Sequence, residues 1–179
     1  MPITLIRHTT PSRHDGLCYG RLDLDLADSF LEEAQTSLRA LGEIDAIYSS
    51  PLSRCLRLAE YIAKHRELSV VLEPRLIEMD FGRWEGRPWS DLPRKELDAW
   101  AKDFMHARPH GGESVAMLSE RTSKALAEIS ECEAGNAVLC VTHSGVIKAA
   151  MACGGRSSDY DYAVAFGETA VWQREGTRP

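Results

Sequence analysis

Short apolar runs alternate along the chain with longer segments whose apolar residues recur at helical spacing. Ile3-Thr4-Leu5-Ile6 is a β-type run that ends at Arg7-His8, where Thr9-Thr10-Pro11 breaks it. Residues 28–41 read as a helix, with Asp28 or Ser29 as N-cap and Gly42 just past its end. Ala46-Ile47-Tyr48 predicts a second strand, closed by Ser49-Ser50-Pro51. In residues 52–65, Leu52, Cys55, Leu56, Ala59, Ile62 and Ala63 form one apolar stripe, and Pro51 suits the first turn. Val70-Val71-Leu72 predicts a third strand, and residues 74–89, rich in Gly, Pro, Trp and charge, read as loop. Helices are expected over about 90–105 and 114–130. Ala137-Val138-Leu139-Cys140-Val141 is an unbroken apolar run between Gly135-Asn136 and Thr142-His143, as suits a strand buried on both faces. A helix over 145–152 and a closing strand or hairpin around Phe166 and Ala170-Val171-Trp172 complete the pattern.

Strands alternating with helices predict an α/β fold with a mainly parallel sheet. The length of 179 residues suits a single domain over 1–179, with 44% hydrophobic and 27% charged residues. No apolar run approaches the roughly 20 residues of a membrane-spanning helix, and the first residues lack the marks of a signal peptide, so a cytoplasmic protein is expected. Five cysteines, an odd number without a CxxC pair, fit reduced thiols. His106 and His110 are four apart, but Pro109 and Gly111-Gly112 end any helix there, so they read as a surface pair and not a metal site. A net charge of -6 argues against nucleic acid and acidic membrane surfaces as partners.

The charge average hides a local pattern. In parallel α/β sheets, ligands bind beyond the carboxyl ends of the strands. The first strand ends in Arg7-His8, the second in Ser49-Ser50-Pro51-Leu52-Ser53-Arg54, and the strand near 140 in His143-Ser144-Gly145. Two arginines and two histidines would then share one rim, with helix N-termini supplying N–H groups to an anion. Arginine suits a bidentate grip on phosphate oxygens, and an imidazole can either bind phosphate or attack phosphorus. A leaving alkoxide needs a proton, so a carboxylic acid is expected nearby. The loop after the third strand offers Glu78, Asp80 and Glu85. Glu78 is favoured because it lies nearer the strand end between apolar residues.

These residues carry a resemblance. Leu5-Ile6-Arg7-His8-Thr9, then residues 48–55, 78–86 and 111–114, and Val141-Thr142-His143-Ser144-Gly145-Val146 follow the order and spacing of the histidine phosphatase superfamily, the phosphoglycerate mutase-like clan. Thr9 and Ser144 stand where glycine is commonest in that family. The resemblance implies a three-layer α/β/α sandwich and chemistry without metal or organic cofactor. By position, His8 resembles the phosphorylated nucleophile; Arg7, Arg54 and His143 the phosphate pocket; and Glu78 the proton donor. Tyr19, Gly20, Arg21 and Ser144 fall where relatives contact substrate. Residues 16–26 and the Arg-His-Thr form are similar to the α-ribazole phosphatase branch, which implies a small phosphorylated substrate, α-ribazole 5′-phosphate, in cobalamin biosynthesis. A broad-specificity phosphatase, a phosphoglycerate mutase and a non-catalytic phospholigand binder are the alternatives. A mutase would need a closing lid to keep water from a phosphorylated histidine, and the short segment between Arg54 and Glu78 offers little material for one.

Overall fold

The computed structural model describes residues 2–173. Its strands are β1 (Ile3–Arg7), β2 (Leu17–Cys18), β3 (Ala46–Ser49), β4 (Val70–Leu72), β5 (Arg87–Pro88), β6 (Val138–Thr142) and β7 (Thr169–Trp172). Its α-helices are α1 (Phe30–Ala40), α2 (Ser53–Arg66), α3 (Arg94–Lys102), α4 (Val115–Cys132) and α5 (Ser144–Met151). The main sheet has the order β4-β3-β6-β1-β7, parallel throughout except for β7, which pairs antiparallel with β1. β2 and β5 form a separate antiparallel pair.

Every residue of β6 is buried, as its unbroken apolar sequence requires of a strand at the sheet centre. Alternate residues of the sheet feed two cores. Ile3, Leu5, Val138 and Cys140 pack with α4 and α5, whereas Ile6, Ile47, Leu139 and Val141 pack with α1 and α2. The sheet thus lies between two helical layers, and the expected three-layer α/β/α sandwich is the fold observed. No helix among the described residues is long and apolar enough to cross a membrane.

Several local expectations change. The buried side of α2 carries Arg54, Cys55, Leu58, Ala59, Ile62 and Ala63, so Arg54 and Leu58 replace Leu52 and Leu56 on the stripe. The helix expected over 90–105 is confined to α3, because Pro93 occupies its N-cap and the backbone leaves helical geometry at Asp103. The loop over 74–89 contains two short 3-10 turns and β5, and a third 3-10 turn begins at Trp89. His110 is not at the surface: it is 1% exposed, wedged against Phe81 and Trp84, and its Nδ1 accepts from the Gly112 N–H at 2.9 Å.

Candidate active site

The carboxyl ends of three parallel strands are stitched side by side. Past the end of β1, the His8 N–H donates to the Thr142 carbonyl on β6 at 3.0 Å. Past the end of β3, the Ser50 N–H donates to the Val141 carbonyl at 3.0 Å. Arg7, His8, Ser50 and His143 are therefore set by ladder register at or just past the strand ends.

His8 is 1% exposed, and its Nδ1 lies 2.7 Å from the Thr9 carbonyl oxygen. A carbonyl only accepts, so Nδ1 carries the hydrogen and Nε2 keeps its lone pair. Burial, followed by the charge of Arg54, pulls the ring's pKa from the usual 6.5 down to about 3. The ring meets His143 edge-on at 5.2 Å and lies 5.5 Å from Phe166. His143 is fully buried, and its Nε2 is 2.7 Å from the Ser50 hydroxyl and 3.3 Å from Cys55 Sγ. Burial and then the Arg54 charge hold it well below the usual range too.

Two neutral histidines in the fold have a consequence for stability. An unfolded His8 takes up a proton near pH 6.5, whereas the folded one does so only near pH 3. Between these values the unfolded chain binds the extra proton. The contribution is therefore complete above pH 6.5 and is lost as pH falls toward 3. His8 alone should cost about 2 kcal/mol at pH 5 relative to neutral pH, and His143 acts in the same direction. A melting temperature roughly 4–8 °C lower at pH 5 than at pH 7 is expected, with a smaller drop in His8→Gln. A flat profile in calorimetry would contradict it.

The two arginines are held from behind. Arg54 is wholly buried, and donates from Nη2 to the Gly20 carbonyl at 2.7 Å and from Nη1 to Leu22 at 2.9 Å. Arg7 donates to the Val164 carbonyl at 2.8 Å, with its guanidinium 3.7 Å above the Phe166 ring. In both, the buried Nε has no partner among the described residues. Tyr19 lies under Arg54 at 5.2 Å and interacts with Arg7. The structure thus places Tyr19 and the Gly20 backbone against the arginines. Arg21 is paired elsewhere, its guanidinium 3.7 Å from Asp80 and 3.9 Å from Glu113.

Carboxylates occupy part of each helix N-terminus at the rim. The Asp23 carboxylate accepts from the Ser53 N–H at 3.1 Å and from its hydroxyl at 2.9 Å, occupying the start of α2. At α5, the Glu78 carboxylate accepts from the Gly145 N–H at 3.1 Å and also from the Met79 N–H at 2.9 Å. A Cβ at position 145 would collide with Glu78 Oε1, so glycine is what lets this carboxylate reach the helix. Glu85 has other work: it accepts from the N–H groups of Arg21, Leu22 and Phe81 at 2.9, 2.6 and 2.9 Å. It clamps the loop whose carbonyls hold Arg54.

Arg7, Glu78, Ser144 and Gly145 line one end of a cleft of about 480 Å³. Phe81, Trp89, Trp100, Phe104 and Tyr160 give it aromatic walls, and Lys148, Ser157 and Asp161 add polar groups. Sequence reading named Ser50 only as part of a strand end and did not place Phe166 or Tyr160 at the site. The Ser-Ser pair after β3 was a visible signal for the first. Among the cysteines, Cys55 lies against His143, whereas Cys18 is packed under Trp84 and Leu92 with its thiol pushed up to about 12 by burial. That makes Cys55 the cysteine at the site.

Residues 3–162 match the model of the histidine phosphatase superfamily (branch 1). The chain is 34% identical over 153 residues to the adenosylcobalamin/alpha-ribazole phosphatase of Escherichia coli (strain K12), covering 82% of this chain and 75% of that one. It is also 34% identical over 156 residues to the metal-independent phosphoserine phosphatase of Arabidopsis thaliana, covering 82% and 66%. The crystal structure of the alpha-ribazole phosphatase from Shigella flexneri superposes with a TM-score of 0.84 at 30% identity, over 96% of this chain and 89% of that one.

Proposed function

Because the chain belongs to the histidine phosphatase superfamily, we propose that it is a metal-independent phosphomonoesterase acting through a phosphorylated His8. The observation that carries this reading is the state of His8: buried, neutral at physiological pH, and tied through Nδ1 to Thr9, which leaves the Nε2 lone pair for attack. Nε2 forms the bond to phosphorus as the bond to the leaving oxygen breaks. Arg7, Arg54 and His143 stabilise the charge on the equatorial oxygens. Glu78 gives its proton to the leaving alkoxide. It then takes a proton from the water that releases phosphate and restores His8.

For the substrate we propose α-ribazole 5′-phosphate, in cobalamin biosynthesis in the cytoplasm. The aromatic walls beside Glu78 suit a planar base on the leaving alcohol, and about 480 Å³ is the size of a small-molecule site. Ser144 and the Tyr19-Gly20 loop would contact the phosphorylated end, with Arg21 at the loop's outer side. A second reading, hydrolysis of phosphoserine, is favoured by the opposite charges of Lys148 and Asp161 in the same cleft. A panel of α-ribazole 5′-phosphate, phosphoserine, a sugar phosphate and 3-phosphoglycerate separates them. We expect kcat/KM for the α-ribazole ester to lead by about tenfold or more, the scale of one lost apolar contact set. A lead for phosphoserine would select the second reading, and equal values would mark a broad-specificity phosphatase.

A further inference from the structure

The position of Glu78 is governed from outside the cleft. Arg121 on α4 and Glu113, just ahead of that helix, form a two-toothed ion pair, Nε to Oε1 at 2.7 Å and Nη2 to Oε2 at 2.9 Å. Both side chains are largely withdrawn from water, at 16% and 7% exposure. The same guanidinium donates to two carbonyls of the acid-bearing segment, Arg75 at 2.6 Å and Glu78 itself at 3.1 Å. Glu113 takes hold on the other side of Glu78. Its N–H donates to the Asp80 carbonyl at 2.8 Å, and its carboxylate accepts from the Asp80 N–H at 3.4 Å. A third tie comes from the sheet, where the Thr142 hydroxyl donates to the Leu76 carbonyl at 2.8 Å.

We infer that the Arg121–Glu113 pair positions the Glu78 carboxyl for proton transfer, by fixing the main chain on both sides of it. The inference rests on Glu78 being the acid of the proposed reaction. Arginine is suited to the task because its planar fork reaches a carboxylate and two carbonyls at once, which a lysine ammonium cannot do from one point. Arg121 also adds its charge to the field at His143. Arg121→Lys keeps that charge while removing the fork, so it isolates the positioning role.

The test is kcat/KM of Arg121→Lys on an alkyl phosphate and on p-nitrophenyl phosphate, together with the inhibition constant of inorganic phosphate. Only the alkyl ester needs a well-placed acid. We expect it to lose roughly 10- to 100-fold more than the aryl ester, with phosphate inhibition unchanged. The differential loss should vanish when Arg121→Lys is placed on Glu78→Gln, because there is then no acid to position. If Arg121→Lys does not fold, Arg121→Met/Glu113→Leu removes both charges together, avoids an unpaired buried ion, and should show the same selective loss. Equal losses on both esters would overturn the assignment while leaving the reaction intact. If Glu78→Gln itself shows no leaving-group dependence, the acid is elsewhere, and the assignment falls with that reading.

Discussion

His8→Ala is expected to lower kcat/KM for every phosphomonoester by on the order of 10⁴-fold or more, since the covalent route is removed and only binding and charge stabilisation remain. The effect should lie in chemistry and not in folding. The imidazole is buried at a position where protonation is disfavoured, so its loss removes a liability at low pH as well as a nucleophile. Melting curves at neutral pH would verify that the variant is folded. The companion measurement is a quenched mixture of wild-type enzyme and substrate. It should contain an acid-labile phosphoryl group on His8 and none in the variant. Residual turnover within tenfold of wild type would remove the covalent step at His8, and phosphate on another side chain would move that step to that residue.

Glu78→Gln should separate substrates by leaving group. Turnover of an alkyl phosphate should fall about 10²- to 10⁴-fold, the usual worth of general acid catalysis, while p-nitrophenyl phosphate falls far less because nitrophenolate leaves without a proton. The amide is nearly the shape of the carboxyl, but it cannot deliver the proton. Glu85→Gln is the informative contrast. Glu85 accepts three backbone N–H groups, two of them in the loop whose carbonyls hold Arg54. Its change should therefore weaken phosphate binding and slow both esters alike. If the leaving-group effect followed Glu85 and spared Glu78, the two roles would have to be exchanged.

Together the two carboxylates show what kind of information each level holds. Both sit in one acidic, aromatic loop, and although apolar Ile77 and Met79 flank Glu78, these neighbours do not say what either carboxylate binds. Each also accepts a nearby N–H, from Met79 or Phe81, and the distinction lies in the distant ones, residues 21–22 for Glu85 and 145 for Glu78, more than 60 positions away along the chain. Sequence reasoning reached Glu78 from its nearness to the strand end, which places it beside the rim but does not assign its partners.

Most of the architecture was legible because its causes are local. The unbroken apolar run 137–141 suited a strand covered on both faces, and β6 is that strand. Parallel strands separated by helices bring their carboxyl ends to one rim, so Arg7-His8, Ser50, Arg54 and His143-Ser144 had to converge. Arg54 was the harder case, a charged residue on the buried side of a helix, where burial follows from the carbonyls of Gly20 and Leu22 and not from any apolar period.

What the sequence by itself determined is a layered α/β fold with a mainly parallel sheet and the group of arginines and histidines at its rim, since periodicity and strand-end position are properties of neighbouring residues. Only the tertiary structure decided the rest: Ser50 and Cys55 on His143, Asp23 on the start of α2, the aromatic wall of the cleft, and the Arg121–Glu113 pair beside Glu78. Each of these joins segments far apart in the chain through one or two hydrogen bonds or a shared surface. Such contacts leave no periodic mark in a sequence, because any polar or aromatic residue of the right reach would read the same until the loops are packed.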